Sequence, residues 1–381
     1  MSDNINRLRE AIDALDERVV ALLNERARLA QEIGRLKGSG PIYHPQREAE
    51  VLRRVAEASR AANGPLTAEG LGKIYTEVMS ACRALEQRLS VAYLGPEGTF
   101  SEMAMVRHFG SSVEGVPCAS IDEVFRACER NSGESNDDKA GGAQFAVVPV
   151  ENSTEGAIGR TMDLLVSTPL VICGEVVLRV RQNLMAKNEA APGTFARVYS
   201  HPQSLGQCAG WLVQNMPRAE RVPVASNAEA AVRVKDEPTA CAIGPELAAQ
   251  RYGLKVLAAG IEDDARNMTR FLVIGGKACS STGRDRTSLV MSASNKPGAV
   301  LDLISPFARN GVSMTRIESR PARTGQWEYL FFIDIEGHQG DAPVKQSLDE
   351  VRQKAPFLKI FGSYPAASSA ADPAAGNSAT N

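Results

Sequence analysis

The chain has 381 residues, 43% of them apolar and 23% charged, with a net charge of −2. That balance suits a globular protein of two or three domains and argues against a nucleic-acid or other polyanionic partner. No apolar run approaches a membrane span, and the opening MSDNINRLREAID lacks the apolar stretch of a signal peptide, so a cytoplasmic protein with no membrane partner is expected.

Residues 1–90 read as helix throughout. Ile5, Leu8, Ile12, Leu15, Val19 and Leu22 are spaced alternately three and four apart. The stripe breaks at Arg26 and resumes at Leu29, Ile33 and Leu36, which describes the seam of a rod about 50 Å long. A second helix is expected from Pro45, a favourable first helical position, and a third after NGPLT carrying Leu71, Ile74, Val78, Leu85 and Leu89. Two short helices cannot cover the long seam, so a homodimer through the first helix, or a higher homo-oligomer, is expected. Arg26 stands on the seam where an aliphatic residue belongs, and Lys37 shares its face three turns on. A buried cation needs a partner. One reading is an internal salt bridge to Glu48 or Glu86. The other, favoured once Arg47 is counted, is a ligand with two carboxylates. Arg9 lies about 100° around the helix from Arg26 and is expected to face a partner chain's pocket.

Residues 91–276 change to alternating strands and helices. An apolar strand, a small polar loop and a helix recur in SVAYLG-PEGTFS-EMAMVRHF, AQFAVVPV-ENSTEG-AIGRTMDLLV, FARVYS-HPQSLG-QCAGWLVQ and TACAIG-PELAAQRYG. This is α/β grammar, with ligands expected at the carboxyl ends of the strands beside helix N-termini. The insert at 131–142 reads as a polar loop. Thr99, Ser101, Ser153 and Ser200 fall at expected helix starts, where N-capping is the simplest role, and Glu102 completes a capping-box spacing with Thr99. Near the end of this region Asn267, Thr269 and Arg270 stand against the buried run FLVIG, where a chain entering a core usually sheds polar groups. Residues 286–365 follow the order βαββαβ, a ferredoxin-like α+β unit. The stretch 366–381 is of low complexity and is expected to be disordered. Seven cysteines without a CxxC pair and four scattered histidines offer no metal-site spacing, and neither GxGxxG nor GxxxxGK[ST] occurs.

With these motifs in hand, the chain resembles the bifunctional chorismate mutase–prephenate dehydratases. LREAIDALDERVVALLNERARLAQEIGRLK with YHPQREAEVL is similar to the all-helical chorismate mutase. YLGPEGTFSEMA, VPVENSTEGA, SHPQSLGQC, AIGPELAA and NMTRF are similar to prephenate dehydratase. NKPGAV and IESRP are similar to an ACT regulatory domain. The resemblance covers nearly all of residues 5–365. It implies an all-α mutase domain (1–90), a two-lobed α/β dehydratase domain like a periplasmic binding protein (91–276) and an ACT domain (286–365).

The resemblance also implies roles. Arg26 and Arg47 of one chain and Arg9 of the other would clamp the carboxylates of chorismate, Lys37 would bond its ether oxygen, and Glu48 its ring hydroxyl. His44, Cys82 and Glu86 depart from one version of the pattern, in which Asp, Ser and Gln occur. Where Gln would donate to the ether oxygen, Glu86 can donate only as the acid, so mutase activity is expected to fall as pH rises. For prephenate, Asn152, Gln207 and Thr269 are the implied catalytic residues, with Thr269 the donor to the departing hydroxyl. Thr99, Ser101, Ser153 and Ser200 would add carboxylate contacts to their capping. His201 is held below Thr269, and Arg270 is expected to be a structural ion-pair residue. No metal or organic cofactor is implied. An L-phenylalanine site would lie at Asn295, Pro297, Gly298 and Ala299 on one side and Glu318, Ser319 and Arg320 on the other. Deleting 286–381 would then leave both activities and remove inhibition by phenylalanine. Two rivals stand beside this reading: a solute-binding protein without catalysis, which the missing signal peptide and the fused helices oppose, and a mutase–prephenate dehydrogenase, which GPEGTF opposes by lacking the dinucleotide glycines.

Overall fold

The computed structural model describes residues 2–38, 42–132, 142–294, 296–322 and 329–367. The chain divides into two compact units, residues 1–89 with 106–114, and residues 90–105 with 115–381.

In the first unit, α1 (Ser2–Lys37) is one uninterrupted helix through Arg26. The expected seam from Ile5 to Leu36 stays exposed on the single chain. Pro45 opens α2 (Pro45–Ala62), and Thr67 caps α3 (Ala68–Ala84) by accepting the Gly70 N–H at 3.1 Å. α3 stops short of the sequence expectation. The Glu86 N–H bonds back to the Arg83 carbonyl at 2.9 Å, a tightened last turn, so Leu85 and Glu86 lie beyond the helix. Residues 106–114, which include the end of α4 (Phe100–Phe109), complete this unit.

Among its described residues the second unit contains three sheets. β1 (Ser90–Leu94), β2 (Glu114–Cys118), β3 (Phe145–Asn152), β4 (Gly156–Ala157), β5 (Val171–Arg179) and β11 (Met268–Gly275) form the first lobe's sheet, in the order β2-β1-β3-β11-β5 with β4 on β3. α5 (Ile121–Ser132) and α6 (Gly159–Ser167) accompany it. The second lobe has β6 (Asn183–Ala186), β7 (Arg197–Ser200), β8 (Glu220–Pro223), β9 (Ala240–Gly244) and β10 (Lys255–Ala259), in the order β10-β6-β9-β7-β8. Its helices are α7 (Pro202–Gln207), α8 (Ala209–Asn215), α9 (Asn227–Lys235) and α10 (Glu246–Tyr252).

The chain crosses between lobes twice, and the crossings run side by side. The Val180 N–H reaches the Asn267 carbonyl at 2.8 Å, and the Ile261 N–H reaches the Gln182 carbonyl at 2.8 Å. The third sheet holds β12 (Asp285–Ser292), β13 (Met314–Pro321), β14 (Tyr329–Glu336) and β15 (Phe357–Pro365), in the order β13-β14-β12-β15, with α11 (Ala299–Arg309) and α12 (Ala342–Lys354). That is the expected βαββαβ order.

The third sheet is not a separate bead. Val290, Phe332, Phe361 and Tyr364 share one buried cluster with Ala146, Val148, Leu165, Ile172 and Leu272 of the first lobe. Gly362 lets β15 approach β5 backbone to backbone, since a Cβ there would overlap the Ile172 carbonyl. Lys359 reaches the carbonyls of Leu165, Val166 and Thr168 at 2.6–2.9 Å, so it caps the end of α6.

Three sequence expectations need adjustment. Ala366 and Ala367 are not loose: their N–H groups bond the Arg284 carbonyl and the Glu175 carboxylate at 3.0 and 2.8 Å. The rest of the expected tail, 368–381, lies outside the described residues, as do 133–141 of the insert, whose first two residues belong to α5. Ser153 and Ser200 do not start helices. The ENST stretch is a tight turn into β4, and His201, not Ser200, caps α7 by accepting the Gln203 N–H at 3.3 Å.

Candidate active sites

The helical unit collects part of the expected cation set. Arg26 donates to the Cys82 sulfur at 3.0 Å. Glu48 does not pair with Arg26; its carboxylate takes Arg83, a buried residue of α3 that pattern reading passed over. Arg83 also donates to the Phe109 carbonyl, and its guanidinium lies 5.5 Å from the Tyr43 ring centre. Burial raises the Glu48 carboxyl above its ordinary range despite the opposing charges of Arg83 and Arg26. Glu86 rests on Gly34, the α1 position one turn before Lys37, where any side chain would collide with it. His44 ends the loop ahead of α2 at its N-cap position without a side-chain cap bond.

The remaining cations stand apart. Arg47 is exposed and paired with Glu50 at 2.7 Å, and Arg9 and Lys37 are exposed on α1. Arg9 and Arg26 are about 25 Å apart along the helix at 1.5 Å per residue, too far to share a pocket in one chain. One chain therefore brings Arg26 of α1, Glu48 of α2 and Cys82 of α3 together, with Glu86 exposed just past the end of α3 against Gly34, and leaves Arg9 for another location.

In the second unit, the cleft beside the two crossings encloses about 350 Å³. Thr154, Glu155, Gln203, Gly206, Gln207 and Asn267 are among the residues lining it. Immediately behind this wall sit Asn152 and Thr269. The antiparallel register of β3 and β11 sets them opposite each other. The Asn152 amide donates to Thr269 Oγ1 and Asn267 Oδ1, each at 2.9 Å, and its carbonyl oxygen accepts from Thr154 Oγ1 at 2.6 Å. Thr154 and Asn267 thus join the pair to the cleft. Because Thr269 Oγ1 accepts from Asn152, the hydroxyl keeps its own hydrogen to donate. Gln207 approaches from the second lobe, its oxygen accepting from Gln182 at 3.2 Å, which leaves its amide hydrogens to other partners. Of the cleft's acids, Asp263 holds the Gly210 and Trp211 N–H groups, Glu262 holds the Gln182 N–H, and Asp264 holds the Arg266 N–H.

The four hydroxyl residues differ in place. Thr99 caps α4, accepting the Glu102 N–H at 3.4 Å while Glu102 accepts from Gly98 at 2.5 Å. Ser101 is buried in the first turn of α4. Ser153 accepts the Met268 N–H at 2.9 Å and so ties the ENST turn to β11. Ser200 is fully buried, shared between Asn227 and the Ile243 carbonyl at 2.9 Å, an inward position. Glu102 also pairs with Arg251 of α10, which joins the lobes on that side.

In the third sheet, Gly298 adopts φ +79° ahead of α11, and Pro297 and Gly298 are exposed while Ala299 is buried. Asn295 lies outside the described residues. Along β13 the side chains alternate, with Arg316, Glu318 and Arg320 turned inward and Ser319 outward. Arg320 approaches Asp163 of α6 to 3.4 Å. Among the described residues no group of three or more His, Cys, Asp or Glu is placed to hold a metal, and no helix is long and apolar enough to cross a membrane.

Comparison with known proteins decides between the rival readings. Family models for chorismate mutase type II, prephenate dehydratase and the ACT domain match residues 8–87, 91–279 and 287–353, in that order. A bifunctional chorismate mutase/prephenate dehydratase of Neisseria gonorrhoeae is 47% identical over 373 residues, covering 96% of this chain and 99% of the relative. The chain belongs to the bifunctional chorismate mutase/prephenate dehydratase family. A relative of the same description from Pseudomonas aeruginosa is 46% identical, with 96% and 98% covered. A solved prephenate dehydratase of Arthrobacter aurescens, in complex with L-Phe, superposes with a TM-score of 0.65 at 31% identity, covering 73% of this chain and 90% of that one. The helical mutase domain, the mixed-sheet dehydratase domain and the ACT domain of this family account for the three architectures described above.

Proposed function

We propose that the chain converts chorismate to prephenate in residues 1–90 and prephenate to phenylpyruvate in residues 91–276. L-Phenylalanine, the amino acid that transamination of phenylpyruvate would give, acts as inhibitor through residues 286–365. The observation that carries this reading is the continuous match to all three family models, with Asn152 and Thr269 hydrogen-bonded at the cleft wall.

For the first reaction Arg26 and Arg47 hold the substrate carboxylates, with Arg9 supplied by a second copy packed along the exposed α1 seam. Arg47 exchanges Glu50 for substrate. Lys37 and Glu86 attend the ether oxygen as its bond to carbon breaks, Glu48 takes the ring hydroxyl, and His44 and Cys82 complete the lining. The rearrangement is pericyclic, so the site supplies a reactive conformer and charge for a polarised transition state, with no nucleophile.

For the second reaction the ring carboxylate leaves as carbon dioxide. Its bonding pair flows through the ring to expel the hydroxyl, which departs as water once protonated. Thr269 donates that proton, Asn152 fixes the Thr269 oxygen, and Gln207 closes on the substrate from the second lobe. Thr99, Ser101 and Ser153 add backbone and hydroxyl contacts to its carboxylates; Ser200, facing inward, supports them from behind. The step is redox-neutral and needs only proton transfer, so the reading includes no cofactor. The regulatory ligand engages Asn295, Pro297, Gly298 and Ala299 from one side and Glu318, Ser319 and Arg320 from the other.

The deciding experiment incubates the protein with chorismate, with and without NAD, and follows phenylpyruvate by ultraviolet absorbance. Phenylpyruvate formed equally in both supports the reading. Prephenate accumulating without NAD, or an NAD-dependent product, refutes it.

A further inference from the structure

β3 and β11 end as two adjacent cross-strand pairs. Asn152 stands opposite Thr269, and Glu151 opposite Arg270. Successive strand residues point to opposite faces. The Asn152–Thr269 pair points toward the cleft, and Glu151 and Arg270 point to the ACT sheet. Both meet opposite charges there. Arg270 donates to Asp334 of β14 at 2.5 Å, to Tyr364 of β15 at 2.9 Å and to Glu175 at 2.8 Å. Arg286 of β12 holds the same Glu175 at 2.6 Å. From the other side the Arg316 Nε of β13 lies 2.8 Å from a Glu151 carboxylate oxygen, a charge contact without hydrogen-bond alignment, since neither its Nε nor its Nη2 makes a hydrogen bond. The Arg316 side chain is only 12% exposed and lies 3.6 Å from a second carboxylate, Glu318, on its own strand.

An apolar contact would join two domains at least as well as this set, because buried ion pairs are weak sources of stability. What charges add is direction. Each of the two charged groups is one peptide bond from a cleft residue, and a displacement of about 1 Å at a reacting group can cost on the order of 100-fold in rate. Arg316 also has two carboxylates to choose from, one on the catalytic strand and one in the segment proposed to bind the effector.

We propose that Arg316 is a positioning residue for the dehydratase reaction: it holds Glu151, and thereby the orientation of Asn152 against Thr269, and a shift of its guanidinium toward Glu318 relaxes that hold. The second clause rests on the reading of residues 318–320 as part of the phenylalanine site; the first does not.

The test uses the full chain, with mutase turnover as internal control. Arg316→Gln is expected to lower dehydratase kcat at least tenfold, with KM within twofold and mutase kcat unchanged, and Arg316→Lys to recover most of the loss. Glu151→Gln, a less buried position, is expected to reproduce the defect should Arg316→Gln fold poorly. The double variant is expected to be no worse than the worse single one. A kcat within twofold of the parent for both single variants overturns the proposal, as do losses that multiply in the double variant or a defect confined to KM. Equilibrium dialysis of L-phenylalanine separates the two clauses. Binding retained by Arg316→Gln with inhibition weakened supports the Glu318 step. Failure of the parent to bind phenylalanine overturns that step and the effector reading, while the kcat comparison still decides the positioning role.

Discussion

His108 should make the helical unit acid-sensitive. Its ring is half-buried near the end of α4, with Nε2 2.6 Å from the Tyr43 hydroxyl and the Phe109 ring beside it. Burial, aided by the Arg83 charge, lowers its pKa from 6.5 to about 4. The folded chain thus holds the neutral imidazole, while the unfolded chain protonates near 6.5. The stabilisation is fully present above pH 6.5 and is lost as pH falls toward 4. That shift corresponds to about 3 kcal/mol, of which about 2 kcal/mol disappears between pH 7 and pH 5. Glu48 works in the other sense, since its raised carboxyl disfavours the fold as it ionises. The comparison must therefore be between variants. Urea midpoints of mutase activity, measured at pH 7 and pH 5 on the full chain, should fall much more for the parent than for His108→Gln. Equal falls in the two proteins would refute the argument.

Thr269→Val should reduce dehydratase kcat by roughly 100- to 10,000-fold, the usual range for a lost proton donor, with mutase turnover unchanged, as read from phenylpyruvate absorbance. The same change removes one of two acceptors from the Asn152 amide and should cost about 1 kcal/mol in a denaturant titration. Removing residues 286–381 should spare the mutase and abolish dehydratase activity, contrary to the sequence expectation that both survive. Arg270 and Glu175 would lose partners within the unit's interior, at about 3–5 kcal/mol for a broken buried pair, and the first lobe would expose the cluster that Phe332 and Phe361 cover. Activity assays and a thermal melt of the truncated chain check this.

The parts legible in the sequence were those with a period or a punctuation mark. The α1 seam, Pro45 at the start of α2, Thr67 before α3 and the βαββαβ order all follow from local rules that the surrounding fold does not overrule. Arg270 was legible as an ion-pair residue because alternation along β11 points it away from Thr269. What stayed hidden depends on contacts distant in sequence. Arg83 follows Cys82 in an ordinary helical stretch, and nothing local announces that Glu48, 35 residues earlier, meets it. Ser200 looks like a helix cap until β7 is seen to run to its end and His201 takes the role. The reach of the third sheet into the first lobe's core was invisible too, because Tyr364 and Phe361 read as ordinary strand residues until their neighbours are known.

The exposed α1 seam bears on how the enzyme responds to its own abundance. If a second copy supplies Arg9 as proposed, a solitary chain, with Arg26 and Glu48 but no Arg9 within reach of them, would hold an incomplete chorismate pocket, whereas the cleft beside Asn152 and Thr269 is lined by residues of one chain. With pairing through α1, diluting the protein should extinguish the first activity while sparing the second. Prephenate supply would then depend more steeply on the amount of protein than prephenate consumption does, and the branch would start slowly at low expression.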